Sequence, residues 1–434
     1  MIAKRSRTKA AGASAPPPAG DLALGELAPG RIVEPADAAE VAAVLGLARQ
    51  AAEAVVAHGG GTLQRASNLP TRYDVALLLR RLDAVHDYDP RDLTIGAGAG
   101  MTLETLQRTL AQHGQFLPLD APLPSRATIG GTLAAGWAGP RRTAYGRPRD
   151  LLIGSTIALA DGTLATAGGM VVKNVTGYDM SRLYVGSHGT LGVLTRANFK
   201  VLPAPAVRRI ALAPFEDEQR ARLIAHALRG EIEPAALLVL DAHFVPAALR
   251  DRGSRNLLLA LFEGSEALVE RAIRGFRSEL GAAGVAETRI RDGAEAGTAF
   301  QLVIDEYVSE RGESSTTLLA RGLPSDAAER ADHAFVALAP LGADREVGGH
   351  AVATLADLLT GDVVVRVAES DAISLTAAVA TVRDVLGHAQ RIAGRGPGID
   401  AWGGAPTALA TMRALKERFD PERTLAPGRY LGGI

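Results

Sequence analysis

The sequence predicts an α+β fold made of two successive α+β units. The first unit opens with a helical pattern at residues 37–53, a short apolar strand at 55–57 and three consecutive glycines at 59–61. From Val207 onward, apolar strands and amphipathic helices alternate at a spacing typical of an antiparallel sheet covered by helices. A chain of 434 residues is also too long for one ordinary core, so we expect at least two domains.

The composition argues against several classes of function. The chain contains no cysteine, so a disulfide, a thiol nucleophile or an iron–sulfur cluster would have to lie on another polypeptide. The formal net charge of −1 argues against a nucleic acid partner. Neither a P-loop, a His-Glu-x-x-His motif nor a nucleophile elbow occurs, and the nine histidines have no ligand spacing. We therefore expect neither a hydrolase nor a metal site.

Residues 1–19 combine a basic run with alanine, glycine and three prolines. This composition cannot bury a core, and it lacks the continuous apolar stretch of a secretory signal. We expect a disordered tail on a cytoplasmic protein.

In the first unit, the predicted elements have local signals. Asp37 is a typical N-cap for the helix that follows it, and Thr102 is one for a helix that ends near Gly114. Asp161 and Gly162, between two apolar runs, form the strongest hairpin signal in the chain. The strands expected here are 32–33, 55–57, 75–79, 93–95, 151–159, 164–167 and 199–205.

The second unit is predicted from its alternating strand and helix patterns. Its alternation of strands and helices indicates an α+β domain with an antiparallel sheet. The expected strands are 210–212, 237–240, 257–262 and 362–367, and the expected helices are 218–228, 266–280, 373–385 and 406–419.

The glycine triplet in residues 58–62 (HGGGT) follows a strand directly. Glycines allow backbone N–H groups to approach a phosphate because no Cβ blocks them. Taken alone, the stretch is equally well explained as a turn. A second glycine run at 96–100 is followed by Met101, so it is not the dinucleotide-binding fingerprint.

Two further stretches are rich in small residues. Residues 128–132 (TIGGT) lead to Gly136, and a helix start of this kind allows close approach by a charged or flat ligand. Tight packing of a helix on a sheet also requires small residues, so it explains this stretch equally well. The other stretch is 189–193 (GTLGV).

With these stretches and residues 173–179 (KNVTGYD) in one order, the sequence resembles the FAD-binding domain of the vanillyl-alcohol oxidase / p-cresol methylhydroxylase (PCMH) superfamily. More closely, it is similar to the FAD-binding subunits of bacterial glycolate oxidases, the GlcE family. The similarity runs through 32–205 and resumes in the terminal segment at 419–429. After the disordered tail at 1–19, it implies a two-subdomain PCMH-type FAD-binding domain at 20–205, an α+β cap domain at 206–419, and a segment at 420–434 that returns to the FAD domain.

The resemblance implies FAD as the cofactor and assigns its contacts by position. Family members with covalent flavin carry a histidine directly after the glycines, where this chain has Thr62, so we expect non-covalent FAD. The first diphosphate loop is then His58, Gly59, Gly60, Gly61 and Thr62. Thr128, Ile129, Gly130, Gly131, Thr132 and Gly136 line the second side of the diphosphate, and Gly189, Thr190 and Val193 lie toward the flavin and its adenosine half.

Catalytic residues are less defined. Lys173 and Asn174 are candidates because a cation near the flavin stabilises the reduced ring or a substrate carboxylate. A surface salt bridge also explains Lys173, and we favour that interpretation. Relatives that oxidise D-2-hydroxy acids carry a His-x-Gly-Asp-Gly-Asn-x-His metal motif, of which this chain has only His350. The hydroxy acid is thus oxidised either at this chain's flavin or on a partner subunit.

The function implied by the resemblance is that of an FAD-binding subunit in a glycolate (2-hydroxy acid) oxidase or dehydrogenase complex. The implied partners are a second flavoprotein subunit resembling GlcD and a separate iron–sulfur subunit. Two alternatives stay open: a stand-alone FAD oxidase of another alcohol or hydroxy acid, and a flavin-free scaffold. Partner subunits would allow a peripheral position at the inner face of a membrane.

Overall fold

The computed structural model describes residues 18–171, 179–229, 233–250, 256–285, 287–309, 315–338, 352–368, 374–394 and 398–434. Up to Pro203 the chain forms ten strands and six helices within these ranges. In chain order they are β1 Arg31–Val33, α1 Ala38–Gln50, β2 Val55–His58, β3 Val75–Leu78, β4 Val85–Asp89, β5 Thr94–Gly98, α2 Leu103–Ala111, β6 Gln115–Phe116, α3 Ile129–Ala135, α4 Arg142–Tyr145, α5 Pro148–Leu151, β7 Leu152–Ala158, β8 Leu164–Gly168, α6 Ser181–Tyr184, β9 Val193–Lys200 and β10 Leu202–Pro203.

Two sheets organise this part of the chain. A parallel three-stranded sheet has the order β1–β3–β2, and an antiparallel five-stranded sheet has the order β4–β5–β9–β7–β8. Helix α1 is capped as predicted, because the Asp37 side chain accepts a hydrogen bond from the Glu40 N–H at 2.9 Å. The β7–β8 hairpin turns at Asp161 and Gly162, where Gly162 has a φ of +85°. Both local predictions are confirmed.

Strand β5 extends past the predicted strand 93–95 into the glycine run at 96–100. Gly96 and Gly98 belong to β5, which pairs with both β4 and β9. A Cβ on Gly96 would lie 2.8 Å from Arg196 Nη2, and one on Gly98 would overlap the carbonyl oxygen of Leu82. The glycines are therefore required by close packing of neighbouring segments against the strand.

The remainder of the chain builds one eight-stranded antiparallel sheet in the order β14–β11–β13–β12–β16–β17–β15–β18. The α+β prediction, with an antiparallel sheet in the second unit, is confirmed. Its elements are β11 Val207–Phe215, α7 Arg220–Ala227, β12 Ala236–Leu240, β13 Asn256–Gly264, α8 Glu266–Ala282, β14 Arg289–Asp292, α9 Gly293–Glu306, β15 Ser315–Ala320, α10 Ala327–Leu338, β16 Val352–Asp357, β17 Val363–Ala368, α11 Leu375–Leu386, β18 Ala389–Gly394 and α12 Leu409–Phe419.

The two faces of this sheet bury different partners. Along β11, Ala211 and Ala213 pack with residues of α7, α8, α10 and α11, whereas Ile210 and Leu212 point to the opposite face, as strand alternation requires. That second face packs on α9 and on Leu63, Ala66 and Trp137 from the first part of the chain. The segment that follows the glycine triplet is therefore held against the eight-stranded sheet.

Buried ion pairs join the two parts of the chain. Arg142 in α4 contacts Asp362 at 2.7 Å, next to β17. Arg141 lies between Asp120 at 2.7 Å and Glu263 of β13 at 3.1 Å, and the Glu263 side chain is fully buried. Removing one partner of such a pair leaves an uncompensated buried charge, which costs about 3–5 kcal/mol.

The C-terminal segment lies beside β2. The Val55 N–H donates to the carbonyl oxygen of Thr424 at 2.7 Å, and the Ala426 N–H donates to that of Val55 at 2.9 Å. Leu425 thus forms a parallel bridge with Val55. Among the described residues, no helix has the length and apolarity needed to cross a membrane.

Candidate functional site

The loop after β2 presents a row of backbone donors. Within the described part of the chain, the N–H groups of residues 59–63 donate no hydrogen bond to another protein group. Gly61 has a φ of +74°, in the left-handed region that favours glycine. Successive N–H groups around such a residue form a concave site for an anion.

The first two glycines of the triplet are required by a second loop. A Cβ on Gly59 would overlap Thr128 Oγ1, and a Cβ on Gly60 would overlap the carbonyl oxygen of Arg126. Residues 59–60 and 126–128 are therefore in direct backbone contact. The glycines bring two candidate binding loops together, in addition to leaving N–H groups accessible.

Helix α3 contributes shape more than donors. Thr128 caps it by accepting a hydrogen bond from the Gly131 N–H at 3.2 Å. The N–H groups of Ile129 and Gly130 donate to the carbonyl oxygens of Met101 and Ala99, at 2.9 and 2.7 Å. Since the first-turn donors are already used, the small residues of α3 serve to let a ligand approach the helix surface.

A third loop packs on the end of α3. The N–H groups of Gly186 and His188 donate to the carbonyl oxygens of Leu133 and Ala134, at 2.9 and 2.8 Å. Gly189 follows with a φ of +74°. These bonds fix the start of the predicted 189–193 stretch relative to the other two loops.

The structure brings most of the predicted cofactor-binding residues to one cavity. Ala134, Ala135 and Gly192 complete its wall alongside them. The predicted residues that line it are Gly59, Gly60, Gly61, Thr62, Thr128, Gly130, Gly131, Gly189 and Val193. Residues that are far apart in the sequence thus converge around one space.

Five predicted residues do not line this cavity: Ile129, Thr132, Gly136, Thr190 and His58. Ile129 is fully buried in the core between α3 and the five-stranded sheet, and the Thr190 hydroxyl donates to the Ser187 carbonyl oxygen at 2.7 Å. Thr132 is buried, and Gly136 ends α3 with a φ of +62° against Gly186. Their side chains or backbone shape the loops rather than the cavity wall.

His58 borders an adjacent cavity that shares the glycine loop. Its Nε2 lies 2.5 Å from the Tyr73 hydroxyl, and the two rings stack. Burial, together with the nearby Arg429 guanidinium, lowers the pKa of His58 to about 4. The imidazole is therefore neutral at pH 7, and its bond to Tyr73 anchors the strand end from which the glycine loop starts.

Three residues of the site escaped sequence analysis. Ser67 and His188 line the cavity and are joined by a 2.6 Å hydrogen bond between Ser67 Oγ and His188 Nδ1. Arg429 lines it too, and donates to the carbonyl oxygen of Gln64 at 2.6 Å. The position of Arg429 in the terminal Pro-Gly-Arg stretch, which is part of the resemblance, was the one available signal. Lys173, Asn174 and His350 lie outside the described residues.

The residues present fit an FAD diphosphate. The loop at 59–63 has five unused N–H donors, and Arg429 adds a buried guanidinium whose Nη1 atom has no hydrogen-bond partner among the described residues. The alanines and glycines of α3 form one wall of the cavity. Donors and positive charge without a neighbouring carboxylate suit an anionic ligand.

Comparison with known proteins agrees with this chemistry. A family model described as an FAD-binding domain matches residues 29–168, and one for the C-terminal domain of FAD-linked oxidases matches 404–430. The glycolate oxidase subunit GlcE of Escherichia coli is 48% identical over 120 residues, 27% of this chain and 34% of that protein. The glycolate oxidase subunit GlcD of Bacillus subtilis is 31% identical over 214 residues, 49% of this chain and 46% of that protein. The chain thus spans between a third and a half of the length of these two relatives.

Solved structures support the same fold. p-Cresol methylhydroxylase superimposes with a TM-score of 0.65 at 16% identity, covering 92% of this chain and 88% of that one. Alkyldihydroxyacetonephosphate synthase superimposes with a TM-score of 0.66 at 19% identity, covering 91% and 75%. Residues 29–168 thus match an FAD-binding domain and residues 404–430 the C-terminal domain of FAD-linked oxidases, and the chain binds FAD and has the PCMH-type fold.

Proposed function

We propose that this chain is the FAD-binding subunit of a complex that oxidises a 2-hydroxy acid, with glycolate as the candidate substrate. One observation carries the proposal: the predicted FAD residues converge on one cavity rich in donors, in a chain whose relatives include glycolate oxidase subunits. Bound FAD would accept two electrons from the substrate carbon. The two protons released from the hydroxy acid would pass to the reduced flavin and to solvent, leaving a 2-oxo acid.

The cofactor contacts follow from the cavity. Residues 59–63 would hold the diphosphate through their N–H groups, and α3 and the 189–193 loop would flank the rest of FAD. The binding is non-covalent in this proposal, because Thr62 occupies the place of the flavin-linked histidine and the chain has no cysteine. Thr132, Gly136, Ile129 and Thr190 would support the loops from behind.

The partners in this proposal are a second flavoprotein subunit resembling GlcD and an iron–sulfur subunit. The absence of cysteine supports a separate iron–sulfur polypeptide for onward electron transfer. The FAD domain at 20–205 and the cap domain at 206–419, with the 420–434 segment returning to the former, would form one subunit of a cytoplasmic complex, placed at the inner face of a membrane by its partners.

A second candidate function is a stand-alone FAD oxidase. A cavity of about 790 Å³ adjoins the glycine loop on the side of the eight-stranded sheet. Arg65, Arg391 and Arg429 line it together with Asp21 and Asp400, and the excess of guanidinium groups suits a carboxylate substrate. In this case the purified chain alone would oxidise a hydroxy acid with O₂ as acceptor.

Purification from the native host separates these functions. The complex predicts a yellow preparation containing a GlcD-like and an iron–sulfur subunit, with dye reduction by glycolate that requires the partners. Turnover of a hydroxy acid by the recombinant chain alone would favour the stand-alone oxidase. A colourless chain that takes up no FAD on incubation would leave only the scaffold alternative.

A further inference from the structure

Arg429 is a buried cation with no carboxylate beside it. It is 3% exposed, and among the described residues no Asp or Glu oxygen lies within 4.0 Å of its guanidinium. Its Nη2 donates to the Gln64 carbonyl oxygen, while its Nη1 is buried and has no partner in the described chain. The burial of a charge without a counter-ion costs free energy. A buried arginine of this kind is therefore typical of a site where a bound anion compensates the charge.

The surroundings of Arg429 place it between two of the candidate loops. It lowers the pKa of His58, at the start of the glycine loop, and that of His188, at the start of the 189–193 loop, in both cases second to burial. Burial lowers the pKa of Arg429 itself to about 10, so it is still charged at pH 7. Both histidines are neutral there.

Arg429 is also the one charged side chain among the described residues that line the cavity of the three loops. No carboxylate contributes to that lining, and the remaining polar contributions are hydroxyl, amide, imidazole and backbone groups. The cavity therefore has a single fixed positive charge next to the five unused N–H groups of residues 59–63.

We infer that Arg429 binds the diphosphate of FAD and adds a buried positive charge to the backbone donors of the glycine loop. Gln64, whose carbonyl oxygen anchors the guanidinium, follows that loop directly. The tail is held in place for this role: the Asn68 N–H donates to the Arg429 carbonyl oxygen at 3.1 Å, and the Thr71 N–H to that of Pro427 at 2.8 Å. The inference rests on the proposed FAD site and adds a residue from the far end of the chain to it.

The diphosphate is favoured over the other anions that this protein would meet. A substrate carboxylate would enter the larger cavity, which Arg65 and Arg391 line as well as Arg429. The reduced flavin ring carries its charge only after turnover, whereas the diphosphate is charged in every state of the enzyme. A permanent buried cation next to a row of N–H donors matches the permanent anion.

The test compares Arg429→Gln and Arg429→Lys with the exposed control Arg413→Gln on α12. Isothermal titration of the full-length apoprotein with FAD, ADP and AMP separates the diphosphate from the flavin ring. We expect Arg429→Gln to weaken FAD and ADP by a similar factor of about 10–100, the equivalent of one charge-assisted hydrogen bond, with a much smaller effect on AMP. Arg429→Lys should retain part of the affinity, and Arg413→Gln should match the wild type.

Thermal unfolding provides a second readout. Because Arg429 has no counter-ion in the apoprotein, Arg429→Gln should leave the apo Tm unchanged or raise it, while reducing the Tm increase caused by FAD. Unchanged affinities for FAD and ADP in Arg429→Gln would overturn the inference. This holds even if the substitution changes the reduction potential of the bound flavin. An apo Tm that falls by several degrees would also overturn it, because the role would then be structural. Failure of the wild-type chain to bind FAD or ADP would overturn the proposed FAD site as well as the role of Arg429. Binding by the wild type with unchanged affinities in the variant would overturn only the role of Arg429.

Discussion

The ammonium group of Lys416 donates a hydrogen bond to the backbone carbonyl oxygen of Thr190, with an Nζ–O distance of 2.9 Å. The same Nζ also donates to the Leu425 carbonyl oxygen at 2.8 Å and to Asp420 Oδ2 at 2.6 Å. Lys416 is 2% exposed, and its three protons have three partners. One side chain thus joins α12, the C-terminal segment and a loop of the candidate FAD site.

Lys416→Met should therefore destabilise the protein and weaken FAD binding together. The substitution leaves Asp420 as a buried, unpaired carboxylate and removes the donor from two carbonyl oxygens, at a cost of roughly 3–5 kcal/mol. Urea unfolding of the apoprotein measures the loss of stability. The double variant Lys416→Met/Asp420→Asn should recover part of it, because the buried charge is gone. Equal stability of the single variant and the wild type would contradict the structural role of Lys416.

Gly60→Val should abolish FAD retention. The valine side chain overlaps the Arg126 carbonyl oxygen, so residues 126–128 must move away from the loop that they contact. The contact with Arg126 predicts a lower Tm of the apoprotein as well. Flavin absorbance after desalting and the apo Tm measure the two effects separately.

The matched control for that substitution is Gly275→Ala, in the interior of α8, where an added Cβ meets no atom within 4 Å. Replacing a helical glycine by alanine stabilises by about 0.5–1 kcal/mol, so this variant should keep its flavin and gain a small increase in Tm. Full flavin occupancy in Gly60→Val would contradict the assignment of the glycine loop.

Asp357→Asn should change the pH dependence of stability. Burial, reinforced by the nearby Asp362 carboxylate, raises the pKa of Asp357 to about 7, and its Oδ2 has no hydrogen-bond partner among the described residues. A carboxyl group with a raised native pKa binds its proton more tightly when folded. It therefore contributes stability at low pH, which is lost as the pH rises from about 4 to about 7.

The asparagine variant should match the wild type near pH 4–5 and exceed its stability at pH 8 by roughly 2–4 kcal/mol. The charged and titratable side chains near Asp357 are those of Asp362, Arg142 and Tyr307, and all three are unchanged in the variant. Asp384→Asn, on the exposed face of α11, is the matched surface control. Urea unfolding at pH 5 and pH 8 measures the difference in free energy of unfolding between the variant and the wild type. The same difference at both pH values would refute the prediction.

The sequence predicted those features that depend on neighbours in the chain. Asp37 and Thr102 as N-caps and the turn at Asp161 all follow from local conformational preferences. The resemblance to PCMH-type proteins supplied the pairing of distant loops, which periodicity does not encode.

The features that sequence analysis missed depend on tertiary placement. Lys416 reads as an exposed residue of an amphipathic helix, and its burial becomes visible only when Thr190 and Asp420 are brought beside it. From its sequence position, Arg429 is expected to lie in a terminal tail. The C-terminal segment instead pairs with β2, and Arg429 lines the cavity. Sequence analysis selected Lys173 as a candidate, whereas the lysine with buried partners in the described chain is Lys416.

The central claim is that three loops of this chain hold FAD without a covalent bond. The direct measurement is the visible spectrum of the purified chain before acid precipitation, and of the supernatant after it. The account predicts flavin absorbance in the purified protein, or after incubation of apoprotein with FAD, and complete release of FAD into the supernatant. A protein that takes up no flavin, or flavin that stays in the precipitate, would contradict it.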